Sequence, residues 1–301
     1  MKDKRCIDAG REGCPCALAE YGKCLVCGRL SGGTCQDCSW QGTCIYTIYQ
    51  QNRRNLVSAR RERELNIESV RVYSDNFKVF VIGADKGFCQ KAQTAGAYVF
   101  ARPTTKEQWY DMPISVLKAE PNEGRLHLGV CGCGPKSQAL LEAEDKLIVR
   151  GVYYNGLSGI GYLSPESDCA SVFAKGIAMA PLRNFLDGGE RYRRWLKNVQ
   201  LYIDVDKVGM DFLQEYFGDL PARSVHIRDF AQEGIGQSQA LWGGNVFALT
   251  SPYYADQIEA AADGGVVRPN SGNLCCGEGV CGACAYDDEA GKTVHRCKER
   301  R

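Results

Sequence analysis

Histidine is scarce in this chain: only His127, His226 and His295 occur among its 301 residues. None stands in a metal-ligand spacing or a triad pattern, so hydrolytic zinc and Ser-His chemistry are not expected. No apolar run approaches the roughly 20 residues that a membrane-spanning helix needs. The opening MKDKRCIDAGREGC lacks the apolar stretch of a secretory signal. An excess of charge is missing too. With 37 Lys and Arg against 36 Asp and Glu, the net charge is +1, so the total draws the chain to neither nucleic acid nor membrane. These absences predict a cytoplasmic protein with no nucleic-acid and no membrane partner.

Cysteine is what the chain has in excess. Of 17 cysteines, eight lie between Cys6 and Cys44 and five between Cys275 and Cys297. Clustered thiols in a reducing compartment read as ligands for iron or zinc rather than as disulfides.

Between the two groups the pattern changes twice. Residues 53–64 form a charged run that reads as a solvated helix linking two parts, or as a patch for RNA or a docking partner. From Asn66 to about Gly159, SVRVYS, KVFVIGA, GAYVFAR, PISVLKA, GRLHLGV and KLIVRGV combine β-branched or aromatic residues with short turns. Such runs predict a small antiparallel barrel, interrupted by one helix at PKSQALLEAE. Strand and helix then alternate: SVFAKG with APLRNFL, VQLYIDV with VGMDFLQEYF, SVHIRD with GQSQALW, NVFALT with PYYADQIEAAA. That rhythm predicts a parallel sheet wrapped by helices. The expected fold is α+β and multidomain: a Cys-rich metal module (1–50), a helical linker (51–65), a barrel (66–160), a Rossmann-like parallel α/β domain (161–264) and a cluster-binding loop domain (265–301).

The C-terminal group reads NLCCGEGVCGACAYDDEAGKTVHRC. Cys276, Cys281 and Cys284 are spaced C-x4-C-x2-C, and Cys297 follows after twelve residues. This is the plant-type [2Fe–2S] arrangement. The backbone must fold tightly over the sulfides, and Gly277, Gly279 and Gly282 permit the positive φ angles this requires. A zinc site or inert thiols is the competing reading. In the N-terminal group, Cys24-x2-Cys27 and Cys35-x2-Cys38 form two pairs able to close one tetrahedral thiolate site. With Cys6, Cys14, Cys16 and Cys44 the eight thiols could fill two four-thiolate centres, of zinc or of iron–sulfur type.

The order barrel, α/β domain and [2Fe–2S] loop resembles the electron-transfer subunit of dihydroorotate dehydrogenase B, in the ferredoxin–NADP reductase superfamily. The chain is similar also to the sulfide/dihydroorotate dehydrogenase-like FAD/NAD-binding proteins, which start with a CPC-containing block. Met112-Pro113-Ile114-Ser115 resembles the family's RPIS strand along the flavin, with Met112 in place of arginine. The segment Cys131 to Gly151 resembles its glycine-rich turn and helix, and Tyr153 to Gly159 its PLGNGF loop. The resemblance implies FAD, with the amides of Gly134, Lys136 and Ser137 at the pyrophosphate and Arg102 a candidate for the missing arginine. Gly176-Ile177-Ala178-Met179-Ala180-Pro181 resembles the family's GIGVAP phosphate turn, with Ala178 replacing a glycine. Thr250-Ser251-Pro252 stands where the family has CGP. These departures imply weak NAD(P) binding or none. The expected function is an electron-transfer subunit working with a catalytic oxidoreductase partner. The competing reading is an assembly protein with a zinc-bound N-terminus and a degenerate flavin domain.

Overall fold

The computed structural model describes residues 6–36, 38–56, 60–164, 167, 169–187, 198–220, 225–235, 244–270, 273–288, 291 and 293–300. The chain divides into two compact units, Met1–Glu62 with Gly272–Arg301, and Arg63–Ser271. The first unit therefore joins the two cysteine groups from opposite ends of the sequence.

Its N-terminal part carries two short helices, α1 (Ala17–Glu20) and α2 (Ile45–Gln51). The buried core there is Ala19, Cys27, Leu30 and Ile45, with Trp40, Tyr46 and Tyr49 packed against it. So small a core gives little hydrophobic stabilisation by itself.

The charged run after α2 is not the expected linking helix in its described residues. Arg53 and Arg54 take φ of 55° and 63°, a left-handed turn that stops the helix. From Glu62 the chain is already strand β1 (Glu62–Ser74). Further along that strand Ser69, Val70 and Arg71 oppose Val81, Phe80 and Val79 across the sheet.

The second unit begins with the barrel. Strands β1, β2 (Phe77–Gly83), β3 (Tyr98–Pro103), β4 (Met112–Glu120), β5 (Arg125–Cys131) and β6 (Lys146–Tyr153) close in the order β1-β2-β5-β4-β3-β6. All six predicted runs are strands of it. Helix α3 (Lys86–Ala92), capped by Asp85 at the Phe88 amide (2.9 Å), lies between β2 and β3. Helix α4 (Pro135–Leu141) is the predicted interruption. Alternation along β2 explains how the barrel joins its neighbour. Phe80 and Ile82 face the barrel core. Phe77 and Val79 face a second core shared with the α/β layer.

That layer follows the short β7 (Leu157–Ser158). It contains β8 (Ala170–Lys175), α5 (Ala180–Asp187), β9 (Val199–Asp204), α6 (Gly209–Phe217), β10 (Val225–Ile227), α7 (Phe230–Glu233), β11 (Asn245–Leu249), α8 (Pro252–Ala261) and β12 (Val266–Pro269). The sheet order is β10-β9-β8-β11-β12-β7, parallel except for β7. The predicted helix at GQSQALW lies outside the described residues. Val266–Pro269, expected at the head of the cluster domain, is instead a strand of this sheet. The C-terminal part of the first unit ends in the hairpin β13 (Ala285–Asp287) and β14 (Thr293–His295). No helix among the described residues is long and apolar enough to cross a membrane.

His127 on β5 and Tyr216 on α6 fasten barrel to α/β layer. Nδ1 of the buried imidazole lies 2.8 Å from the Tyr216 hydroxyl, and Nε2 lies 3.1 Å from Glu120. Burial holds His127 below its ordinary value of 6.5 despite Glu120, whose own carboxyl is held low, against its burial, by Lys118 and His127. Neutral His127 therefore donates from Nε2 to the carboxylate and accepts from Tyr216. Because the folded state binds this proton less well than the unfolded chain, the stabilisation is complete above about pH 6.5 and is lost as pH falls through the lower folded value. His127→Asn is expected to reduce the drop in thermal midpoint between about pH 7.5 and pH 5, followed by circular dichroism on the full-length protein. An unchanged drop would remove His127 as its source.

Candidate functional site

In the C-terminal loop Gly277, Gly279 and Gly282 adopt φ of 70°, 77° and 75°, as the tight fold required. The reversals aim backbone N–H groups at sulfur. The Glu278 amide donates to Cys276 Sγ at 3.3 Å, and the Cys297 amide donates to Cys284 Sγ at 3.4 Å. The amides of Val280 and Cys281 also reach Cys276, and that of Ala283 reaches Cys281. The thiols meet in pairs, Cys276 with Cys281 and Cys284 with Cys297, and Cys297 also reaches Cys276. A hydrogen bond from Cys297 and the converging amides push the Cys276 thiol down to about 3, against its burial. Cys284 is likewise pushed down to about 6 by Cys297. Cys297 is pushed up by those same partners and by burial. Among the described residues no three or more His, Cys, Asp or Glu side chains gather to hold a metal ion. Two linked thiol pairs beneath a ring of amides do fit the donor set of a two-iron cluster, in which each iron takes two thiolates. Cys275 is exposed.

The N-terminal thiols are arranged differently from the expected pairing. Cys6, Cys14, Cys16 and Cys24 line one cavity. Cys27, Cys35, Cys38 and Cys44 line another. Cys24 and Cys27 thus belong to different cavities, although the Cys27 amide donates to Cys24 Sγ at 3.3 Å. The cavity linings thus divide the Cys24-x2-Cys27 pair, while Cys35 and Cys38 line the same cavity. Burial pushes Cys6 up to about 12 and Cys14 up to about 11, and Cys16 adds to both shifts. Cys44, at the head of α2, is held below the usual thiol range by the Thr47 hydroxyl and amide.

In the second unit Pro113 is exposed on β4, Ser115 is half-buried and Ile114 points into the barrel. The head of α4 is only partly available to a pyrophosphate. The Gly134 amide donates to Ser137 Oγ at 3.0 Å, as does that of Cys133 at 2.9 Å. Ser137 is thus a buried cap. The space beside Gly134 is open, with no atom within 4 Å of an added Cβ, while Lys136 Nζ reaches the Asp111 carbonyl at 3.0 Å. An open cradle beside an exposed strand face fits a flavin, with fewer amide donors than expected. Arg102 is not free to replace the missing arginine: it is buried, with its guanidinium on Asp111 (2.6 Å) and on the Lys106 carbonyl (3.1 Å). Arg150 reaches the other Asp111 oxygen at 3.0 Å, lies 4.8 Å over the Phe100 ring and bonds the Tyr153 hydroxyl. This network was missed in the sequence, and no short spacing signals it.

Both suspected nucleotide turns come together. Gly176 follows β8 and Thr250-Ser251 follow β11, and these two strands are hydrogen-bonded neighbours with Leu249 opposite Ala174. Strand order reverses there, which is where open α/β sheets bind their ligands. Ala178 is half-buried in a tight turn, Gly176–Met179, that leads directly into α5, and Pro181 is buried within that helix. Thr250 is buried, and Ser251 stands at the head of α8. Lys175 bonds Asp204 at the end of β9, a carboxylate beside the turn that the sequence reading did not single out.

No family model matches the chain, and no curated protein matches it. Solved structures do share its fold. An NADH-dependent reduced ferredoxin–NADP oxidoreductase, described for flavin-based electron bifurcation, is similar over 77% of this chain and 85% of its own, at 16% identity and a TM-score of 0.58. Phthalate dioxygenase reductase, described as transferring electrons from pyridine nucleotides to [2Fe–2S], is similar over 79% of this chain and 95% of its own, at 14% identity and a TM-score of 0.52. A ferredoxin–NADP⁺ reductase from Neisseria gonorrhoeae, with bound FAD and NADP, covers 69% of this chain and 97% of its own, at 13% identity and a TM-score of 0.50. The barrel and parallel sheet are therefore the ferredoxin reductase-like fold.

The Asp111 bridge is directly testable. Asp111→Ala leaves two buried guanidiniums facing each other, and breaking a buried pair in this way costs about 3–5 kcal/mol. The expected result is a clear fall in the denaturant midpoint, whereas a change below about 1 kcal/mol would show that the bridge does not hold the strands.

Proposed function

We propose that this chain is the electron-transfer subunit of an oxidoreductase complex, with FAD in the barrel unit and a [2Fe–2S] cluster on Cys276, Cys281, Cys284 and Cys297. The observation that carries this is the C-terminal loop, where two thiol pairs lie under converging amides in a chain whose other unit has a reductase fold. A flavin supplies exchange between electron pairs and single electrons, and a [2Fe–2S] cluster supplies one-electron transfer. The residues of this chain bind, orient and set potentials. The amides of Glu278, Val280 and Cys281 stabilise negative charge on sulfur and so tune the cluster. Pro113 and Ser115 offer the flavin a strand face. The eight N-terminal cysteines belong to the same reading as further metal ligands. Substrate chemistry then falls to a catalytic partner subunit, in a cytoplasm that keeps the thiols reduced, as in the dihydroorotate dehydrogenase B arrangement that the motifs resemble.

Two outcomes follow. Cys281→Ser is expected to remove or strongly disturb the [2Fe–2S] EPR signal of the reduced protein, while Cys275→Ser leaves it. An unchanged spectrum in Cys281→Ser would sink the cluster assignment.

NADH is expected to reduce the flavin poorly. Ala178 places a methyl group in the phosphate turn, and Thr250-Ser251 replace a glycine-bearing turn on the nicotinamide side. A lost hydrogen bond to a charged group costs roughly 1.5–3 kcal/mol, tenfold or more in affinity. Anaerobic stopped-flow mixing reads this directly, and rapid flavin bleaching at micromolar NADH would show that the altered turns still work.

A further inference from the structure

We propose that the N-terminal cysteines build two separate four-thiolate iron–sulfur sites, Cys6/Cys14/Cys16/Cys24 and Cys27/Cys35/Cys38/Cys44, each taking a cubic four-iron cluster. This deepens the electron-transfer reading and rests on it.

The division comes from the cavities. Each is lined by four cysteines, and together they account for all eight. In a zinc knuckle both cysteines of a CxxC bind the same ion. Here the Cys24–Cys27 pair is divided, one thiol to each cavity. A run of cysteines split between neighbouring centres is the arrangement of two-cluster ferredoxins. Ile45 lines both cavities, so one side chain forms a common wall.

Two further observations concern charge and folding. Four thiolates on a cluster bring excess negative charge, which is costly inside a protein without cations nearby. Lys298 is fully buried beside the first cavity, 2.8 Å from Asp8, itself a lining residue. Arg60 bonds the same carboxylate. Among the described residues the segment's core cluster is small, four buried residues, so metal binding would supply the folding free energy that apolar burial does not.

The test uses the full-length protein, purified anaerobically and reconstituted with ferrous iron and sulfide. Wild type is expected to hold about ten irons and ten sulfides per chain, two in the C-terminal cluster and four in each cavity. Cys24→Ser and Cys38→Ser should each lose about four irons, and the double variant should lose both sets, retaining only the [2Fe–2S] EPR signal. If both CxxC pairs served one site, the double variant would lose no more than either single one, and that result overturns the division. Stoichiometric zinc without N-terminal sulfide, or a loss of about two irons per variant, overturns the four-iron assignment. Should Cys38→Ser fail to accumulate, the exposed Cys44→Ser reads the same cavity. Persistence of flavin and of the C-terminal signal in each variant separates failure here from failure of the electron-transfer reading, which would show already in wild type.

Discussion

The first unit depends on one buried ionic knot. Asp8, near the start of the chain, and Lys298, near its end, are 2% and 0% exposed. Their ion pair is 2.8 Å long, and Glu278 lies 2.9 Å from the same ammonium. Arg60 completes the knot by bonding both carboxylates. Burial would raise the Asp8 carboxyl, but Lys298 and Arg60 hold it below the usual range. Charges this deep are tolerable only together, because removing one leaves the others uncompensated. The backbone follows the same closure, with the Ile7 amide donating to the Lys298 carbonyl at 2.8 Å. Glu278 lies inside the C-terminal cysteine loop, and Asp8 lines the first N-terminal cavity. The knot therefore places two groups of thiols, some 270 positions apart in sequence, on the two sides of one set of charges.

In the second unit the corresponding constraint is apolar. Phe77 meets Phe212 edge-on at 4.9 Å and stacks with Tyr73 at 5.4 Å. Both faces of β2 are thus buried, one in the barrel and one against α5, α6 and the parallel sheet. A strand covered on both sides cannot slip in register without moving two cores. The turn after β8 and the turn after β11 are held by this rigid base, and so is the His127–Tyr216 bond that spans it. Any ligand at the switch point is presented to a preformed surface.

Much of this was legible in the sequence. The six barrel strands were visible because each combines β-branched or aromatic residues with a nearby turn, and the α/β rhythm because strands and helices alternate at regular intervals. What failed was the linker. Glu62, Arg63 and Glu64 have the composition of a solvated helix, yet they extend a strand whose partner is distant in local pattern. The C-terminal loop was legible because its chemistry is local: four thiols and three glycines at fixed spacing. The Asp111 network was not, since Arg102, Asp111 and Arg150 meet only after β3, β4 and β6 are side by side. The division of the N-terminal thiols was hidden for the same reason. Spacing reports which cysteines are near in sequence, and Cys24 and Cys27 are near, yet they line different cavities, with Ile45 in the lining of both.

The two cysteine groups also meet the same electrostatic problem in different ways. A thiol half removed from water resists becoming a thiolate. In the C-terminal loop a hydrogen bond from Cys297, and then the amides that positive-φ glycines turn toward sulfur, pull the Cys276 thiol down despite its burial, while Cys281 and Cys297 rise. At the N-terminus, Gly10 supplies a hydrogen bond to Cys14, and Val26 and Cys27 to Cys24, but burial prevails and both thiols rise. Cys14 receives one amide and Cys24 two, against three at Cys276, and neighbouring thiols add their own repulsion. In the proposed N-terminal centres the compensating charge would come from the metal itself and from Lys298, so that assembly of the centre and ordering of the segment would become one event.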